Sequence, residues 1–287
     1  FADATGAFML DDLPGDVAFL TFRKDDRTSI TYRPLDLIPG ASAHYPDVVL
    51  LPLSLAGAVQ GADGGDVALG DLGTGASFPP DAFLIGDQPF GGRGGAFMAV
   101  GLPTDDWFAA AFPGAMAGVR AGGATVAFLP EGVVWINVIG NGQPLGLAPD
   151  VGATLRLGLP PAQAATAPET IVAWQVDPGS GAWIEVGESA LVEGVYSIDV
   201  PRLAPVCWST PVASPCEITG TVVDQDGNPV VNANVLAESE DGRFRNRALA
   251  DGDGAFSLAI APGRATEIIA YAGNIAGAAD TLAADVA

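Results

Sequence analysis

No stretch of this 287-residue sequence carries a convincing helical periodicity of apolar residues. The apolar residues fall instead in short runs, among them "DVVLLPLSL", "GDVALGDL", "GAFMAVGL", "ATVAFL", "VVWINVIG" and "GATLRLGL", with Gly, Pro and Asp between them. Gly and Pro number 38 and 23, and they separate apolar runs rather than forming tracts of their own. That is the punctuation of a protein made of strands and turns, so the expected class is all-β, built as antiparallel sandwiches. At 49% hydrophobic residues the chain can fill two or three cores.

One repeat organises the chain. With a constant offset of 248 and no gap, Ala2, Asp3, Gly6, Ala7, Phe8, Leu10, Pro14 and Gly15 recur as Ala250, Asp251, Gly254, Ala255, Phe256, Leu258, Pro262 and Gly263. Three parts are therefore expected. Residues 1–34 hold the second half of a module, 35–210 form a middle sandwich region that divides near residue 111 if it contains two subdomains, and 216–287 hold the complete module. Within the middle region, "TDDWFAAAF" reads as a helical turn and "PPAQAATAPET" as an extended connector. "FGGRGGAF" lacks the Lys-Ser/Thr end of a phosphate loop and reads as a flexible loop. "ETIVAWQVDPGSGAWIEVG" reads as a hairpin whose turn uses Pro178 and a glycine, Gly179 or Gly181, at positive φ. Trp174 and Trp183 flank that turn. Paired aromatics in a hairpin are read as packing, with stacking on a carbohydrate as the alternative.

Twelve Lys and Arg against 34 Asp and Glu give a formal charge of −22. Such a field repels phosphate backbones and anionic bilayers, which argues against nucleic acid as a partner. No run approaches the roughly 18 apolar residues of a membrane helix, so direct membrane insertion is not expected and a signal peptide or anchor would lie upstream or have been removed.

Cys207 and Cys216, in "VCWSTPVASPC", fit neither a CxxC redox pair nor a zinc set, since His44 is the sole histidine. A disulfide between them is expected to contribute about 2.5–3 kcal/mol and to place the chain in an oxidising compartment; two free buried thiols are the alternative. A catalytic triad would have to use His44, and no G-x-S-x-G elbow accompanies it, so His44 reads as a surface-loop residue. The neighbouring acids Asp25 and Asp26, Asp105 and Asp106, and Asp251 and Asp253 have nothing to separate their pKa values as a glycosidase pair requires. No metal site is assigned. Asp224, Asp226, Asp251 and Asp253 are weak calcium candidates, in turns that need Asp and Gly for backbone reasons alone.

The final segment "GTVVDQDGNPVVNANVLA", followed by "DGDGAFSLAIAPG", resembles the carboxypeptidase regulatory-like domain, a transthyretin-like sandwich. By the repeat, residues 1–34 are similar to its second half. Residues 112–210, through "FPGAM", "GVVWINVIGNGQPLGLAPDVGATLRLGLP" and "GVYSIDVPRLAPVCWST", resemble the extracellular region shared by cartilage intermediate layer protein, the astroprincin family and bacterial surface proteins. These resemblances imply tandem Ig-like and transthyretin-like sandwiches without a catalytic set. The expected function is a non-catalytic extracellular or cell-surface structural protein. Its partners are neighbouring copies or other surface proteins, and it polymerises if a neighbour's strands complete the N-terminal half-module. The alternative is an adhesive or glycan-binding module of a larger secreted protein or enzyme.

Overall fold

A computed structural model of the chain describes residues 20–24, 26–32, 48–212, 216–272, 275–276 and 280–282. His44, Asp25 and the first copy of the repeat, Ala2 to Gly15, lie outside them. The described N-terminal part is one antiparallel hairpin, β1 (Leu20–Phe22) and β2 (Ile30–Tyr32).

The middle region is a single β-sandwich. Its strands are β3 (Ser54–Gln60), β4 (Gly65–Ala68), β5 (Gly75–Phe78), β6 (Phe83–Ile85), β7 (Gln88–Pro89) and β8 (Arg93–Gly101). A helical turn, α1 (Phe108–Ala111), leads to β9 (Ala117–Val119), the long β10 (Thr125–Gly140), β11 (Gln143–Pro144), β12 (Gly146–Leu147) and β13 (Ala153–Gly158). A second helical turn, α2 (Pro161–Ala164), precedes β14 (Thr170–Val176), β15 (Trp183–Val192), β16 (Val195–Val200) and β17 (Val206–Pro211). The main sheet runs β3-β8-β10-β17-β14-β15-β16-β13-β5-β4, and it turns a corner within β15. Trp183 to Ala190 pair with β14, whereas Leu191 and Val192 pair with β16. Because β3 and β8 pair alongside β10, and β5 pairs with β13, the strands on both sides of residue 111 share this sandwich.

Alternation sends one set of side chains between the two halves of the folded sheet, where Met98, Val134, Ile136, Leu155, Leu157, Tyr196 and Trp208 pack. The opposite set of β10, β14 and β17 would face water in a simple sandwich. Here segments 49–53 and 107–116 cover it, and Phe108, Phe112, Phe128, Trp135, Trp174, Trp183 and Cys207 form a second core. A sheet covered on both faces explains why "VVWINVIG" in β10 and "IVAWQV" in β14 are apolar runs without polar alternation.

Two expectations are corrected here. "FGGRGGAF" is a loop only in its first three residues: Arg93 to Gly101 form β8, whose Gly94 lies where a Cβ would come within 3.2 Å of Val138. The connector at 160–170 contains α2, started by Pro161 at a position where a missing N–H costs nothing.

The last module comprises β18 (Cys216–Thr221), β19 (Asn234–Ser239), β20 (Arg245–Leu249), β21 (Ala255–Ile260), β22 (Thr266–Ala272), β23 (Ile275–Ala276) and β24 (Asp280–Leu282). One sheet pairs β18 with β21, and the other runs β20-β19-β22, with β23 and β24 both pairing with β22. Val235, Ala237, Phe244, Leu258 and Ile260 fill the space between them.

Candidate functional site

The two sandwiches meet along the first half of β10. Ala127 of that strand and Val212, just past β17, are buried in the same cluster as Phe244, Leu258 and Ile260 of the last module, and Leu129 packs against it. The backbone holds this edge closed, with Val212 N donating to Ala127 O at 2.8 Å. Beyond it β10 bends, as its register against β17 shifts between Pro130 and Gly132. Proline lacks the N–H that a regular ladder requires, so an interior strand tolerates it at such a bulge.

The bulge presents Glu131, which is 6% exposed. Its carboxylate accepts from Arg243 Nη2 at 2.5 Å and from Gln163 Nε2 at 3.0 Å, while its carbonyl accepts from the same amide nitrogen at 2.7 Å. Arg243 projects from the β19–β20 turn, where its own N–H donates to Asp241 and Gly242 takes φ 66°. Arg245 N–H reaches Met116 Sδ at 3.0 Å, adding a second link from the module to the sandwich. A buried carboxylate is tolerated only with such partners. Burial, and secondarily the charge of Glu131, pushes the Tyr196 hydroxyl up to about 12. Tyr196 therefore stays protonated and donates to Pro168 O.

The hairpin aromatics lie inside. Trp174 and Trp183 are 0% and 1% exposed. Trp183 pairs with Val176 and Trp174 with Glu185, so the two rings are diagonal neighbours on the covered face. Phe128 stacks on Trp174 with centroids 5.2 Å apart, and Trp183 Nε1 donates to Pro113 O at 2.8 Å. Gly118 permits this packing, since a Cβ there would stand 2.5 Å from Trp174 Cε3. Neither indole offers a face to a sugar, so the carbohydrate-stacking alternative fails for this pair. The turn itself is as expected, with Gly181 at φ 64° and Asp177 bonded to Ser180 and Arg202. Those bonds, Ser180's first, hold the Asp177 carboxyl below its usual range.

The expected disulfide is absent, because both cysteines are free. Cys207 is enclosed in the covered-face core beside Trp174, whereas Cys216 opens β18 and packs against the core of the other module. Burial raises the Cys207 thiol well above its ordinary value, which suppresses its thiolate. We expect two thiols per chain by Ellman titration in denaturant without reductant, and no reaction of Cys207 in the folded protein. A titration of zero would restore the bridge.

The calcium candidates serve their own turns. Asp224 Oδ1 accepts from the amides of Asp226 and Asn228, and Asp251 Oδ1 accepts in the same pattern from Asp253 and Ala255. Bonds from the Asn228 side chain and then its backbone lower the Asp224 carboxyl. Among the described residues no three acidic, His or Cys side chains gather as a metal set. Asp105 likewise accepts from Leu102 N at the start of α1. A cleft of about 160 Å³ opens where the N-terminal hairpin meets the sandwich, and its lining is neutral: Thr28, Ser29, Trp135, Asn137 and prolines 113, 178 and 205 among others.

The module whose edge Arg243 anchors can be placed in a family. Residues 217–285 match the carboxypeptidase regulatory-like domain. That domain is a non-catalytic β-sandwich module often found in surface or secreted proteins. No curated protein and no solved structure matches the chain. The regulatory-like domain here therefore brings no chemistry of its own, and its junction with the sandwich is the most elaborated polar feature of the described residues. Sequence reasoning missed that junction. Glu131 was its one signal, a lone acid inside the long apolar stretch from Val126 to Ile139.

Proposed function

We propose that this chain is a non-catalytic structural segment of an extracellular or cell-surface assembly, in which sandwiches docked end to end act as a stiff spacer or filament. The observation that carries this reading is the shared core at the junction, where Ala127, Leu129 and Val212 complete the interior of the regulatory-like module. Flexibly linked modules would each close their own core and leave a polar linker between them. The frequent occurrence of regulatory-like domains in surface or secreted proteins supports the location. The charge of −22 suits a body that repels other macromolecules and meets its partners at defined edges.

In its finer form, the half-module at residues 1–34 is completed by strands equivalent to 217–248 from a neighbouring copy. Electron microscopy of native material, paired with its intact mass, tests both levels. Filaments of chains near 28.9 kDa are the result expected for completion by a neighbour. A filament or rod made of one much heavier chain would keep the spacer reading and assign those strands to the same polypeptide. Isolated compact particles, with no surface labelling of intact cells, would overturn the proposal.

A further inference from the structure

The two ends of the described chain contain the same hairpin. Leu20 pairs with Tyr32, and Ile268 pairs with Asp280, each partner displaced by 248. The turn agrees as well: Arg27 N donates to Lys24 O at 3.2 Å, and Ile275 faces Ala272 across the corresponding turn. This is the offset found between Ala2–Gly15 and Ala250–Gly263. Sequence identity and strand register, taken from different residues, thus give one period.

In the first hairpin, the residues after the turn hold the middle sandwich with their other edge. Arg27 forms an antiparallel bridge with Pro52. Thr28 N donates to Leu51 O at 2.8 Å, Leu53 N donates to Asp26 O at 2.9 Å, and Leu51 N donates to Thr28 Oγ1 at 2.9 Å. Pro52 has no N–H to offer, and it sits between the two residues that do donate. The received segment, Val49 to Leu53, is uncharged, so it can approach an acidic neighbour without repulsion. One period later, Arg27 and Thr28 correspond to Ile275 and Ala276, which are β23. Among the described residues, β23 pairs along one edge, with β22.

We propose that the other edge of β23 is the docking site for a second middle sandwich, received through its copy of segment 49–53 one period downstream. The proposal rests on the structural reading above and deepens it by naming the partner and the contact. One backbone bond carries the contact, equivalent to that of Thr28 N to Leu51 O, with Ala276 N as the donor. The bond to the Thr28 hydroxyl has no counterpart, because alanine stands at 276.

The test extends the full chain after Ala287 with its own residues 40–212, which preserves the period of 248, and measures amide hydrogen exchange. The Ala276 amide, donor to the appended Leu51 O, is expected to exchange more than about tenfold slower in the extended chain than in the chain that ends at Ala287. Ala276→Thr, which restores the hydroxyl, is expected to slow the appended Leu51 amide about fivefold relative to the extended chain with alanine. Free exchange of the Ala276 amide beside a protected appended β10 would overturn the proposal, as would an appended sandwich that gains no protection at all. Neither outcome depends on filaments or on cell-surface location, so the broader reading stands or falls separately.

Discussion

Trp174→Ala is expected to destabilise the sandwich by about 3–5 kcal/mol, measured by urea unfolding. The ring is fully buried, stacked on Phe128, and approached by Gly118 so closely that no other residue fits there. Truncation leaves a cavity that a sheet covered on both faces cannot collapse to fill. Phenylalanine separates volume from polarity at the two indoles. Trp174 Nε1 has no hydrogen-bond partner, so Trp174→Phe should recover most of the loss. Trp183 Nε1 bonds Pro113 O, so Trp183→Phe should cost about 1–3 kcal/mol more by leaving that buried carbonyl unpaired. Equal effects of the two phenylalanine variants would mean that the Pro113 bond contributes nothing.

Arg243→Ala is expected to cost about 2–3 kcal/mol and to loosen the regulatory-like module from the sandwich. Removing one partner of a fully enclosed pair costs about 3–5 kcal/mol, and Arg243 is partly open to water, which reduces the figure. The loss comes from Glu131, left charged and buried with Gln163 as its remaining partner. Glu131→Gln in the Arg243→Ala background should therefore restore stability, whereas the same change in the wild-type chain should reduce it. Additive single and double variants would show that the two side chains do not interact.

Much of the fold was legible because strand punctuation is local. The "DPGSG" turn, the helical turn in "TDDWFAAAF" and strands β18 to β22 of the last module follow from turn residues and alternation. Errors arose where tertiary packing overrode that local grammar. Pro130 and Gly132 read as a break between "ATVAFL" and "VVWINVIG", yet they form a bulge inside one sixteen-residue strand. The glycines of "FGGRGGAF" read as looseness, yet Gly94 and Gly95 are strand residues against which larger neighbours pack. The cysteines were close in sequence, but consecutive strands carried them into different cores. Arg243 gave no sign of its role, since an arginine beside Asp-Gly reads like any exposed turn, and its partner lies 112 residues away.

The chain leaves the sandwich by β17, which lies antiparallel to β10 from Phe128–Pro211 to Val134–Val206 before Val212 hands on to the next module. Tension drawn along the molecule would therefore load that ladder lengthwise. Bonds set across the direction of pull share the strain and yield together, unlike a zipper opened one tooth at a time. Force would reach the regulatory-like module through Val212, just past that strand, whose side chain is also a brick of that module's interior. Such a joint transmits load from one body to the next as a lap splice does in timber, by overlap.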